Sequence, residues 1–344
     1  MNRSGVPEPS IDFAPKHYIC RRAGGPLELD GRLDKPFWSR AAWTEPFVDI
    51  EGDLRPRPAK ETRVKMLWDD RYFYVGAQLE EDEIWATLTE RDSVIFYDND
   101  FEIFIDPDGD THQYYEFEIN ALNTVWDLLL VKPYRDGGPP VNSWDLSGLR
   151  TAVHIEGELN NPAADNRMWS VEVAIPWTSL RECAAEGRVP GPGEFWRVNF
   201  SRVQWRVDIV DGQYRKTVNP ETGKPYPEDN WVWSPQGIIN MHYPELWGYV
   251  MFEGEGDLAE FSLPADERIK WELRKLYYRQ RNYYEAQGCF CDDALLLMQG
   301  EKWVIDPLIE TTRSLFQITA AAADGSAVLC IREDGRLWRE ERVT

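Results

Sequence analysis

Glu102, Glu118 and Asp127 are the side chains whose type and spacing suit general acid and base work. Glycoside hydrolysis needs only two carboxyl groups, about 5 to 9.5 Å apart depending on the stereochemistry. Other chemistries lack their residues. The sequence has no G-x-S-x-G elbow, no H-E-x-x-H and no P-loop, and its imidazoles are His17, His112, His154 and His242 alone. Asp106-Pro-Asp108-Gly-Asp110 sets alternate carboxylates around a glycine, as calcium loops do, but Phe117 stands at the twelfth position where an EF-hand has its glutamate. The loop therefore reads as a tight turn first and a Ca2+ site second. Cys20, Cys183, Cys289, Cys291 and Cys330 are scattered and odd in number, a pattern for free thiols rather than a zinc centre.

A second chemistry needs no reaction. Binding a neutral ring takes a flat apolar surface beside a few planar donors and acceptors. Trp126-Asp127, Gln204-Trp205 and Trp231-Val232-Trp233 set aromatics next to polar groups or at loop edges, whereas Trp68, Trp169 and Trp196 read as core. The chain carries 16 Trp, 15 Tyr and 14 Phe, an excess that suits either a β core or flat apolar platforms for a ligand.

Strands must position these groups. In Tyr114-Tyr115-Glu116-Phe117-Glu118-Ile119-Asn120, alternation puts Tyr115, Phe117 and Ile119 on one face and Tyr114, Glu116, Glu118 and Asn120 on the other. The same parity sets Glu102 opposite the apolar residues of its strand, so two adjacent antiparallel strands bring Glu102 near Glu118. Arg202 or Arg197 is the expected neutralising partner. Similar strands are predicted over 62–68, 72–79, 100–105, 124–131, 149–155, 168–175, 196–204 and 247–252, with a short helix over 178–185. This is the pattern of an all-β antiparallel sandwich with jelly-roll or immunoglobulin-like layers. Long connections at 132–147 and 208–230 are expected to rim a site. Residues 1–24 read as an N-terminal tail or a strand leading into the domain, and 25–254 as the sandwich. Beyond it, 255–344 reads as an appendage holding a helix at 264–287 and a pair of short strands.

The net charge of −22 over 344 residues disfavours nucleic acid and anionic membrane as partners. No stretch approaches the ~20 apolar residues of a membrane span, and the N-terminus lacks a signal-like apolar run, so the expected location is cytoplasmic, or secreted if a signal has been removed.

"LELDGRLDKPFWSRAAW", "VKMLWDDRYFYVGAQLEE", "NDFEIFIDPDGD", "WSVEVAIPW" and "WGYVMF" follow in the order found in carbohydrate-binding module family 9-like domains, which residues 25–254 resemble. The resemblance implies a β-sandwich that binds a sugar between two aromatic rings, with structural calcium nearby. Three positions depart from that pattern: Phe96, beside Tyr97, stands where a Trp is expected, Glu118 stands where an Arg bonds the sugar, and the stretch before the last strand holds His242 but no Trp. The expected ligand is a neutral or amino sugar, held by Phe96, Tyr97, Trp126, Trp205 or Trp233 with Glu102, Glu118, Asn120, Asn199, Arg202 and His242. A glycoside-active enzyme using a carboxylate pair on the same face is the alternative, and a non-catalytic protein interaction module is the third.

Overall fold

The computed structural model describes residues 5–254 and 260–341. Its strands are, in chain order, β1 (His17–Arg22), β2 (Val48–Asp49), β3 (Thr62–Trp68), β4 (Tyr72–Glu80), β5 (Asp100–Asp106), β6 (Tyr114–Asn120), β7 (Val125–Leu130), β8 (Pro140–Val141), β9 (Arg150–Glu156), β10 (Met168–Pro176), β11 (Phe195–Gln204), β12 (Val207–Val210), β13 (Gln213–Lys216), β14 (Asp229–Val232), β15 (Gly248–Phe252), β16 (Leu308–Thr311), β17 (Phe316–Ala321), β18 (Ala327–Arg332) and β19 (Leu337–Glu341). Two helices, α1 (Ala265–Gln287) and α2 (Ala294–Leu297), complete the set.

One layer runs β8-β7-β6-β5-β11-β15, with β14 and β2 also hung on β11, and the other runs β3-β4-β10-β9. β1 joins them: its first residues pair in parallel with β15 and its last two with β3. Between the layers lies a core of alternating side chains, including Phe101, Ile103, Tyr115 and Phe117 from one sheet and Val64, Val75, Leu79 and Val171 from the other. The expected sandwich is present, and Trp68, Trp169 and Trp196 are core as expected. Of the two readings of the N-terminal segment, tail or strand leading into the domain, the strand is present, and it bridges the two sheets. The helix expected over 178–185 is replaced by two 3-10 turns, Trp177–Ser179 and Ala185–Gly187, and between them the backbone N–H of Cys183 donates to the Tyr115 hydroxyl rather than to a helical carbonyl.

α1 lies on β17 and β18, and these strands form a four-stranded sheet with β16 and β19 in place of the expected pair. This C-terminal unit has its own core, which Val6, Tyr243 and Leu246 of the preceding chain enter. Buried ions tie it to the sandwich. Glu267 at the start of α1 accepts from Arg197 at 2.9 Å and from the Tyr249 hydroxyl at 2.7 Å.

Lys270 and Arg197 hold the Glu267 carboxylate down to about 2 against the effect of its burial. A carboxylate depressed on folding stabilises above its unfolded value near 4.5, and that contribution fades as pH falls toward 2. Replacing Glu267 with Gln is expected to cost about 3 kcal/mol at pH 7, with the gap to the parent closing between pH 4.5 and 2. Urea unfolding of both proteins across that range checks this, and a pH-independent gap would contradict it.

Candidate functional site

The outward face of the β7-β6-β5-β11 sheet is acidic because strand parity makes it so. Glu102 of β5 pairs directly with Glu118 of β6, and on its other side with Ser201 of β11. Glu116 pairs with Phe104, and Trp126 of β7 stands opposite Glu118. Asp100, Glu102, Glu116 and Glu118 thus share one floor, each buried. Burial is the main reason their carboxyls rise, Glu102 to about 7 and the other three well above the ordinary range. Their mutual repulsion adds to it for Asp100, Glu116 and Glu118, while Glu228 adds to it for Glu102.

The two connections expected to rim a site both bring side chains to the edge of this face. Tyr134, in a 3-10 turn of the first (Tyr134–Asp136), stays 42% exposed, yet lies close enough to Glu116 and Glu118 for their charges to add to burial and lift its hydroxyl to about 12. Its ring meets His242 edge-on at 4.5 Å, and the His242 ring bonds the Tyr114 hydroxyl at 2.9 Å. Burial drives His242 down to about 3, with Arg135 adding to the effect, so the imidazole is neutral. The second connection is not a plain loop: it folds into the β12–β13 hairpin, whose Lys216 sits over Trp205 at 3.2 Å and within 5.6 Å of Tyr97. Glu228, at its end, also lines a groove of about 540 Å³ with Arg206, Tyr226 and Trp231.

Of the aromatics expected as platforms, Tyr97 is 56% exposed and Trp126 half-buried, with the half-buried Phe96 ring against both. The other two are corrected. Trp233 is fully buried in the inter-sheet core, against Phe200 and beneath Gly248, where a Cβ would come within 2.4 Å of its ring. Trp205 is 9% exposed, donates to the Phe96 carbonyl and has a face taken by Lys216.

The polar expectations divide in the same way. Glu102 and Glu118 meet as expected, but Arg202 and Arg197 neutralise neither. Arg202 shares the parity of Trp196, Val198 and Phe200, so it points inward, where it bonds Glu81 at 2.8 Å, Thr62 at 3.0 Å and Gln204 at 2.9 Å. Arg197 faces outward but is held by Glu267 and the Tyr249 ring. Asn199 is consumed by Ser234 and Phe200, and Asn120 by Leu88, Asp98, Leu122 and Thr124, so both lock turns rather than face a ligand. Asp127 has the opposite parity to Trp126 and is bonded by Arg91 and the Leu146 N–H, which removes it from the carboxylate pair. Sequence reasoning placed Glu116 on this face without counting it as a site residue, and missed Ser201, Tyr134 and Glu228. Parity would have given Ser201, whereas the other two are brought in by connections that carry no periodic signal.

Asp106, Asp108 and Asp110 each bring an oxygen within 4.8 Å of the others, a hard donor set that could hold a metal. All three already work in the turn. Asp106 accepts from Gly109 and Thr111, Asp108 from Asp110, and Asp110 from His112 and Arg336. No helix among the described residues is long and apolar enough to cross a membrane.

Residues 29–191 match the family model described as carbohydrate family 9 binding domain-like. Two curated relatives align with part of the chain: endo-1,4-beta-xylanase A of Thermoanaerobacterium saccharolyticum, 28% identical over 153 residues, and exoglucanase XynX of Acetivibrio thermocellus, 28% over 155. Each alignment takes in 44% of this chain but only 11% and 12% of those proteins, so the chain spans about a tenth of their length. A candidate carbohydrate-binding protein from Bacteroides uniformis ATCC 8492 superposes with a TM-score of 0.50 at 16% identity, over 70% of this chain and 100% of its own. A family 9 carbohydrate-binding module from Caldicellulosiruptor kristjanssonii, solved with cellotriose, gives 0.46 at 16% identity, over 72% and 99%.

Proposed function

The sandwich contains a carbohydrate-binding family 9-like domain, matched over residues 29–191, and from that premise we propose that the chain binds a mono- or oligosaccharide on the outward face of the β7-β6-β5-β11 sheet. The observation that carries this reading is the pairing of exposed rings, Tyr97 and Tyr134, and half-buried Trp126 with a floor of carboxyl groups. Rings cover the C–H face of a sugar, and carboxyl groups at Glu102 and Glu116 take its hydroxyls in either protonation state. Glu228 leads from this face to the neighbouring groove, which gives a longer chain a second contact. The relatives that carry similar domains are a xylanase and an exoglucanase, so β-linked xylose and glucose polymers are the first ligands to try. Calcium at Asp106, Asp108 and Asp110 would brace the β5–β6 turn at the end of the same sheet.

Binding without catalysis is the better reading, since an acid and base pair must reach the glycosidic bond. Glu118 is 1% exposed and accepts the backbone N–H of Phe96 at 3.0 Å, so it lies beneath the turn that carries Tyr97. Affinity electrophoresis through gels containing soluble xylan or β-glucan tests the proposal. Retardation of the parent is expected, with Tyr97→Ala and Trp126→Ala each weakened about tenfold or more. Parent-like retardation of both variants would rule this face out.

A further inference from the structure

The outward face of the β3-β4-β10-β9 sheet holds a cation that the chain does not neutralise. Val64 and Met66 turn into the core, so Lys65 between them turns out, where it is half-buried with its Nζ 4.4 Å from the centre of the Trp43 ring. Desolvation alone acts on this ammonium and lowers its pKa, with no carboxylate near enough to oppose the effect. Two other basic side chains on this face have their counter-ions: Lys35 meets Glu172 at 2.7 Å and Arg63 meets Glu61 at 2.8 Å. In a chain of net charge −22, a partly desolvated ammonium without a carboxylate marks a spot where an anionic group from outside is stabilised.

Lys65 borders a recess of about 370 Å³, the size that takes one small molecule. Strand pairing builds its floor. Gln78 of β4 stands beside Ser170 of β10, and Ser170 beside His154 of β9, a row about 10 Å long at the usual strand spacing. Among the described residues neither the Gln78 amide nor the His154 ring has a hydrogen-bond partner, and Ser170 donates to the Gly31 carbonyl at 2.7 Å, which leaves its oxygen able to accept. The wall is fixed as well. Glu172 accepts from the backbone N–H groups of Asp30 and Gly31 at 2.9 Å each, and Gly31, at φ +83°, lies so close to β9 that a Cβ would come within 2.3 Å of the His154 backbone nitrogen. A single ammonium, with Asp34 and Glu156 also lining the recess, suits one negative charge better than two, and uncharged hydrogen-bonding groups in a row suit hydroxyls. A neutral sugar would leave Lys65 uncompensated.

We propose that Lys65, Gln78, Ser170 and His154 bind a hydroxylated monocarboxylate of monosaccharide size, the class of the uronic acids, on the sheet opposite the acidic face. The carboxylate takes the Lys65 ammonium, which the Trp43 ring props in place, and the hydroxyls take the row. The recess shares no residue with the β7-β6-β5-β11 face.

Calorimetric titration of the full chain with sodium glucuronate tests this, with glucose at one high concentration in cell and syringe so that a neutral-sugar site stays silent. Saturable heat is expected from the parent. Lys65→Met keeps a stem against Trp43 but drops the charge, and should weaken binding about tenfold or more. Gln78→Ala and His154→Ala should each weaken it about threefold to tenfold. Acetate, a carboxylate without hydroxyls, should give no saturable heat. The proposal is overturned if glucuronate gives none, if Lys65→Met binds it as the parent does, or if acetate binds as tightly as glucuronate. The Gln78 and His154 side chains hold nothing else in place, so parent-like affinity in both variants counts against the recess even if Lys65→Met misfolds. Neutral xylo- and gluco-oligosaccharides should bind Lys65→Met as they bind the parent, so failure here leaves the carbohydrate reading of the acidic face standing, and failure of that reading leaves the recess standing.

Discussion

Glu81→Ala is expected to destabilise the protein by about 3 to 5 kcal/mol, because it strands a buried guanidinium. Glu81 and Arg202 are 2% and 1% exposed, and their pair at 2.8 Å is surrounded by Thr62, Gln204, Asn99 and Lys60. Burial lowers the Arg202 pKa while Glu81 works to raise it, so removing Glu81 takes away the group that keeps the charge tolerable. A drop in melting midpoint on the order of 10 °C follows for a chain of this size. Glu81→Leu with Arg202→Met removes both charges and should recover much of the loss. Scanning calorimetry of the three proteins decides it. A single variant within about 2 °C of the parent would show that water reaches Arg202 and that the inter-sheet space is not dry.

Asp136→Ala is expected to have a comparable effect, reaching both stability and binding. Asp136 sits in the turn that carries Tyr134, accepts from Tyr277 and Arg281 of α1, and lies 3.4 Å from Arg135. Arg135 in turn donates to Glu245 and to the His242 carbonyl. Without Asp136 two buried guanidinium groups lose a shared carboxylate, at a cost of about 3 kcal/mol or more. The turn beneath Tyr134 then loosens at the edge of the ligand face. Asp136→Asn keeps the hydrogen bonds and should fall in between. Tm and sugar affinity that both match the parent in Asp136→Ala would refute the idea that the C-terminal unit positions this rim. That unit had no legible role in the sequence, since its contribution joins the adjacent Arg135 and Asp136 to Arg281, which lies 145 residues beyond Asp136.

Strands with a clean alternation were readable almost to the residue. β3 and β6 match their expected limits because apolar residues at every second position allow one register only. β1 was not readable. His-Tyr-Ile-Cys-Arg-Arg is short and polar at both ends, and its parallel partners lie 232 and 46 residues away in the pairs His17–Tyr249 and Arg21–Leu67. The β12–β13 hairpin escaped notice for another reason: Ile209 and Val210 are exposed, so no buried face imposes a period. At the site, parity alone predicted the meeting of Glu102 and Glu118. Applied to β11 it would also have sent Arg202 inward, since Trp196, Val198 and Phe200 already marked that side as core. Tyr97, Tyr134 and Glu228 reach the face through turns whose path depends on packing, and Glu118 is closed over by the Phe96 backbone, which no residue pattern announces.

The central claim is that the outward acidic face, with its rings, binds carbohydrate. Titration calorimetry of the parent against xylo- and gluco-oligosaccharides tests it most directly, with the double variant Tyr97→Ala/Trp126→Ala and, as a control, Trp43→Ala, whose ring lies against Lys65 of β3 in the other sheet. Saturable heat with at least one sugar, lost in the double variant and kept in Trp43→Ala, is the predicted result. No heat from any sugar, or heat that survives the double variant, would contradict it.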